Sequence, residues 1–371
     1  MPSLRFGGNA VAVAVLLAVS SVQAAAPDSP AGLVQAMQET LLRRDAAGYL
    51  ALVDQRDQMF ATEHRRFVED WVARPPQDVR LTLTNVRQSG DQTLGQLRWS
   101  WRTAANVQRD VTVTSAFRQI DGGWRYAGEA FPVVLAEGQV LAQSGQEDVA
   151  RAIAADLDST LKLVGRVLGY GPAQPPVVKV YDSYAALSAS VQLSLQPVGG
   201  WNEPGEAIKL AAPRWPESRA TLAHELAHAA VFSRFGEGQS RIPWWLHEGV
   251  AHFAASGIWT EQARASYLQR SAAWHRQGRL VPWDRLSNFE TTPGDLWPHV
   301  YGQGYAFVRF AADRYGMPRL TAFMQELASG QTIQVAASRA FGSTFDRVDQ
   351  DWKIWLGTQA VSTVTSRPPL P

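Results

Sequence analysis

Two of the chain's seven histidines stand four apart in TLAHELAHAAVF, residues 221–232. A helix repeats about every 3.6 residues, so His224 and His228 share a face and can turn two imidazoles toward one cation. Glu225 lies roughly 100° round the helix from His224. It is poorly placed to be a third ligand beside both rings, but it can touch a water held by the cation. The bland alternative is a helix that carries these three residues for no chemical reason. A catalytic zinc needs three protein ligands and an open position, so this helix alone is an incomplete site. WWLHEGVAHF supplies the missing carboxylate, Glu248, after 19 residues that follow His228. Gly236, Gly238 and Pro243 lie in the connection and let the chain turn back, laying a second helix beside the first. Two neutral imidazoles and one carboxylate would leave one Zn2+ ion with a net charge of about +1, enough to acidify a bound water toward pKa ~7. Glu225 would then act as general base, taking the proton and passing it to the leaving amine.

H-E-L-A-H followed by W-L-x-E-G-x-A resembles the gluzincin metallopeptidases, in particular the bacterial peptidase-MA-like family, over about 145–358. GGWNEPGEAIKL is similar to the edge-strand segment before that family's metal helix. VYGQGYAFVRF and FGSTFDRVDQDWKIWL are similar to its later and closing helices. The resemblance implies His224, His228 and Glu248 as zinc ligands, Glu225 as base and peptide bonds as substrate. It also implies a tyrosine near the metal, an oxyanion donor of the kind such hydrolysis uses. Tyr301 and Tyr305, four apart, are the candidates, and Tyr301 is preferred; a packed aromatic pair is the alternative. His252 stands four after Glu248, where relatives often place an acidic residue that supports a ligand histidine from behind. It is read as such a support, as an alternative ligand, or as a helix-surface residue. The strand AIKL, Ala207–Leu210, could pair with an extended peptide or be an ordinary core strand. Trp244 and Trp245 are expected to wedge the two site helices together.

These residues need elements to hold them. From about 145 the pattern is helix, strand, helix, strand, then mostly helices, with a small sheet implied. Before it, residues 30–135 run two amphipathic helices into four period-two segments, VRLTLTNVRQ, TLGQLRWSWRT, RDVTVTSAFRQI and GGWRYAGEAF. Those read as an antiparallel meander. The order resembles the NTF2-like fold, a curved sheet wrapped on a helix. No residue in it marks a ligand, so it reads as a scaffold or accessory unit. The expected fold class is α+β. Residues 1–26 read as a signal peptide, with Arg5, a short apolar run and small residues before the cleavage site. The α+β accessory domain would be 27–135, a linker 136–147, the gluzincin-like domain 148–358 and a disordered tail 359–371.

Composition narrows the partners. At 46% hydrophobic and 19% charged the chain is globular. It contains no Cys, which removes disulfides, thiol catalysis and Cys-type zinc sites. The formal net charge is +1 and falls to 0 when Arg5 leaves with the leader. With no basic run, nucleic acid is not an expected partner. No later segment is long and apolar enough to span a membrane. The sequence therefore reads as an exported zinc metallopeptidase, periplasmic or secreted, acting on a peptide or protein substrate. The competing reading is a catalytically weak or inactive zinc-binding module that recognises a partner or a cell-wall peptide. Nothing in the sequence bears on oligomeric state.

Overall fold

A computed structural model describes residues 27–359 apart from 213, 214 and 216. The expected leader and residues 360–371 of the expected tail lie outside the described residues; Gln359 is the last residue of a helix.

The first unit opens with helices α1 (Pro30–Arg43), α2 (Ala46–Ala51) and α3 (Gln58–Ala73). Each begins where a side-chain oxygen caps free backbone N–H groups: Ser29 on Gly32, Asp45 on Gly48, Asp57 on Met59 and Phe60. The stretch from 31 to 54, which reads as one helix, breaks because Arg44 turns left-handed and Asp45 caps a new start. Strands β1 (Gln77–Ser89), β2 (Gln92–Arg102), β3 (Gln108–Ile120) and β4 (Gly123–Glu129) follow as an antiparallel meander in the order β1-β2-β3-β4. Their alternating inner residues, among them Leu97, Trp99 and Val113, share a core with Leu33, Met37 and Trp71 of the helices.

The second sheet has the order β5-β6-β7-β9-β8, formed by β5 (Val133–Leu135), β6 (Val140–Ala142), β7 (Val178–Tyr181), β8 (Gly200–Trp201) and β9 (Ile208–Ala211). Strands β6, β7 and β9 run parallel, with antiparallel β5 and β8 at the edges. Helix α4 (Glu147–Leu168) crosses between β6 and β7, and α5 (Tyr184–Val191) follows β7. One expectation is corrected here, and one choice between two readings is decided. The stretch 136–147 is not a free linker, because it contains β6, whose Val140 and Ala142 are fully buried and which pairs with β7. Of the two readings of Ala207–Leu210, the ordinary core strand is the one observed, because β9 is flanked on both sides, by β7 and β8.

Helices complete the fold: α6 (Arg219–Phe235), α7 (Trp244–Ala255), α8 (Glu261–Arg276), α9 (Trp297–Tyr315), α10 (Met317–Ala328), α11 (Ile333–Phe341) and α12 (Phe345–Gln359). The fold is thus α+β, an antiparallel sheet followed by a helical region with a small mixed sheet. The junction between the two parts is itself core. Leu187 and Val191 of α5 pack into the first unit's hydrophobic cluster. Trp101 Nε1 donates to the Leu193 carbonyl at 2.8 Å, and Asp70 accepts from Ser194 Oγ and N. Among the described residues no helix is long and apolar enough to cross a membrane.

Candidate metal centre

Helix α6 is held by its apolar side. Leu222, Ala223, Leu226, Ala227 and Ala230 are buried against α4, α7 and the second sheet. This leaves His224 and His228 on the side that faces an open cleft of about 890 Å³. The helix ends at Gly236, whose φ of 53° lies in the left-handed region. A six-residue 3-10 turn brings the chain to Pro243, and α7 starts beside α6.

Glu248 meets the two histidines there. His224 Nε2 and His228 Nε2 are 3.1 Å apart, and Glu248 Oε2 lies 3.1 Å from the first and 3.6 Å from the second. The other oxygen, Oε1, accepts a 2.9 Å hydrogen bond from Trp244 Nε1, which fixes the carboxylate plane. Oε2 is buried and makes no well-formed hydrogen bond among the described residues. Three donor atoms at zinc-bond lengths in a tetrahedral arrangement would sit about 3.3 Å from one another. The observed triangle straddles that figure, and its orphaned oxygen is the atom a cation would satisfy. The donor set, two imidazoles and one carboxylate, suits zinc. The electrostatics point the same way. Burial opposes charge on Glu248, but the two imidazoles hold its carboxyl well below the usual carboxylate range. Burial likewise opposes charge on His228, and Glu248 overrides it, pushing the ring up to about 9. A cation in the triangle replaces that proton as the counter-charge.

Glu225 is buried on the same helix, and burial raises its carboxyl above the ordinary range. Its neighbour is strand β8. A Cβ on Gly200 would lie 2.4 Å from Glu225 Oε1, so only glycine lets the strand approach this closely. Asn202 Nδ2 donates to the Glu225 carbonyl at 3.1 Å. The register pairs Gly200 with Leu210, and Ala211 N donates to the Gly199 carbonyl. Hydrogen-bonded pairs alternate along an antiparallel ladder, so Gly200 turns its own N–H and C=O to the open edge.

Tyr301 of α9 lines the cleft, its ring centre 6.4 Å from that of His224, and burial pushes its hydroxyl pKa well up. Tyr305 is fully buried behind Trp259 and Tyr267. Tyr301 owes its place to a backbone contact. A Cβ on Gly249 of α7 would lie 2.5 Å from the Gly304 carbonyl oxygen, and one on Gly304 would lie 2.3 Å from the Trp245 carbonyl oxygen. The two helices therefore touch through glycines one residue past Glu248 and three past Tyr301. His252 packs edge-on against His224, with ring centres 4.7 Å apart, and burial lowers its pKa to about 3. Its Nδ1 makes no well-formed hydrogen bond among the described residues, so what joins it to His224 is a ring contact.

The tryptophans differ from expectation. Trp245 does not wedge α6 against α7; it packs with Trp283 and Phe307 on the far side of α7. Trp244 orients Glu248, and the i, i+4 spacing of a donor and a carboxylate was the available signal. Sequence reasoning also missed Asn202 and Glu203. Glu203 lines the cleft near His228, and burial, partly offset by Arg66, pushes its carboxyl up to about 7. It missed α8 as well, whose Tyr267 stacks on Trp259 to form one wall. Of the other histidines, His64 is buried in the first unit beside Tyr49, and His299 is stacked on Trp274.

Comparison with curated proteins found no match. Comparison with protein families matched residues 158–358 to the peptidase MA superfamily, a span that takes in the metal triangle, Glu225, strand β8 and Tyr301. That match covers more than half of the 371 residues, and the chain belongs to the peptidase MA superfamily.

Proposed function

We propose that the protein is a zinc-dependent metallopeptidase that hydrolyses peptide bonds with Glu225 as general base. The observation that carries this reading is the orphaned Glu248 Oε2, aimed at two imidazole nitrogens inside a cleft that holds a second buried carboxylate. His224, His228 and Glu248 would hold one zinc ion. When bound, the ion supplies Lewis-acid chemistry, acidifying a water toward pKa ~7 and polarising a carbonyl. Glu225 accepts the proton of the attacking water at its carboxylate, then delivers it to the nitrogen of the departing amine. Burial keeps the Tyr301 hydroxyl protonated, so it donates to the carbonyl oxygen as negative charge develops there. An extended peptide would pair with the outward N–H and C=O of Gly200, which transfers the strand role from β9 to β8. The first unit, read as NTF2-like from its element order, is a scaffold, because α5 closes over its inner face. The leader expected at 1–26 makes this an exported activity, in the periplasm or outside the cell.

The test is metal content followed by hydrolysis of quenched fluorescent casein. One zinc per chain is expected, with cleavage lost on chelation and restored by zinc. Stoichiometric zinc without any cleavage would leave a binding module, and no zinc at all would end both readings.

A further inference from the structure

We propose that helix α3 of the first unit sets the position of the substrate-facing strand, with Arg66 and Glu63 as positioning residues; this rests on the peptidase reading of the cleft. Strand β8 is only two residues long, and two-stranded pairings this short are marginal alone. Its turn is tight: Glu206 N donates to the Glu203 carbonyl at 3.1 Å, Pro204 takes the second position and Gly205 the third, with φ +80°. This is a type II turn. It bends the hairpin but does not anchor it.

The anchor is α3. Arg66 Nη2 donates to the Pro204 carbonyl at 2.8 Å, and Nη1 of the same guanidinium pairs with Glu206, whose side chain is 3% exposed. Glu63 Oε1 accepts from Ala207 N at 3.3 Å, and Oε2 accepts from Lys179 Nζ of β7 at 2.7 Å. Lys209 Nζ of β9 lies 3.9 Å from the same oxygen. Thr62 stands against Gly205, its Cγ2 3.7 Å from where a Cβ would be. Three residues within about one turn of α3 thus grip the hairpin from 204 to 207 and the two strands beneath it.

The other end of the hairpin lies on the site. Asn202, two residues before Pro204, donates to the Glu225 backbone, and Gly200 lies against the Glu225 carboxylate. A turn displaced by loss of the anchor shifts Gly200 against both the base and any peptide paired to its edge. The metal ligands sit on α6 and α7, neither of which takes part in the Thr62, Glu63 and Arg66 contacts. The first unit therefore governs how substrate is held and leaves the metal alone.

The experiment uses the full chain with Arg66→Ala, Arg66→Lys, and the reversed pair Arg66→Glu with Glu206→Arg. The lysine variant keeps a charge for buried Glu206 should the alanine variant not fold. Two readouts are taken: amide hydrogen exchange over 199–207, and KM and kcat on quenched fluorescent casein. Exchange in that segment should accelerate in the alanine and lysine variants and slow again in the reversed pair. KM should rise about tenfold, the worth of one charge-assisted hydrogen bond, with kcat within about threefold and zinc content unchanged. Unchanged exchange over 199–207 in a folded Arg66 variant overturns the proposal, as does a fall in kcat with KM unmoved. If the wild type binds zinc and cleaves no casein, the peptidase reading fails, and the exchange measurement still decides the anchor.

Discussion

Glu63, Lys179 and Lys209 lie buried where the first unit meets the second sheet; His224, His228 and Glu248 line the cleft, the last two buried and His224 half-buried. The junction cluster brings its own cations. Burial pushes the Glu63 carboxyl up, and the two lysines overcome it, leaving it below the ordinary range. Both Glu63 oxygens have protein partners. In the cleft, by contrast, two imidazole nitrogens and one carboxylate oxygen converge with no lysine or arginine among the described residues of the group. Burial and charge alone do not separate a metal site from a structural ion cluster. What separates them is whether the balancing cation is a permanently charged side chain of the protein itself or only a proton on an imidazole, which a metal ion can replace. A buried ion pair is broken at high cost but need not do chemistry, whereas an incomplete donor set is informative about a missing cation.

That contrast can be broken by substitution. Glu225→Gln should lower kcat on casein by about 10²- to 10⁴-fold or more, with zinc content and thermal midpoint near wild type. A variant with half the wild-type rate would show the base to be elsewhere. Glu63→Ala should act in the opposite sense. It strands two lysines and should cost about 3–5 kcal/mol in urea denaturation, while the protein that remains folded still binds zinc. If zinc content fell before stability did, the two clusters would not be independent. Gly249→Ala bridges the comparison, because it pushes α9 away from α7 at the cleft. It should cost about 1–3 kcal/mol and lower activity by displacing Tyr301, measurable as a loss in both midpoint and kcat.

Asp54 supplies the smallest effect. It pairs with Arg56 and Arg118, which both reach water, unlike either buried cluster. The Arg56 hydrogen bond, outweighing burial, lowers its carboxyl to about 2. A depressed carboxylate contributes stability that is complete above its unfolded value near ~4 and disappears as pH falls toward ~2. Screening by solvent limits the contribution to about 1 kcal/mol. Asp54→Asn should flatten that part of the stability–pH curve, and an unchanged curve between pH 4 and 2 would remove the pair from the account.

How far the sequence reveals these features depends on the range of the interaction. His224, Glu225 and His228 are legible because one helical period sets their directions. Glu248 is legible because its helix and motif stand close behind. Strand β8 is not, because two residues carry no alternation, and their edge position depends on pairing with Leu210 and Lys209. β6 escapes for the same reason, three residues long inside a stretch that reads as connection. α8 buries only Ser271 and Ala272, so no apolar stripe announces the helix behind the Trp259–Tyr267 wall. Asn202, Glu203 and Arg66 act through contacts between distant segments, which no local pattern encodes.

The Glu63–Lys179 contact spans 116 residues of chain. At typical synthesis rates, Glu63 leaves the ribosome on the order of ten seconds before its partner. During that interval the first unit also lacks α5, so Trp99, Val113 and Phe67 face solvent beside an unpaired carboxylate. The nascent first half should therefore stay open and be a natural client for a holdase. It should close only when β7 and α5 arrive, so that the scaffold is finished by the very segment whose strand it then holds in place.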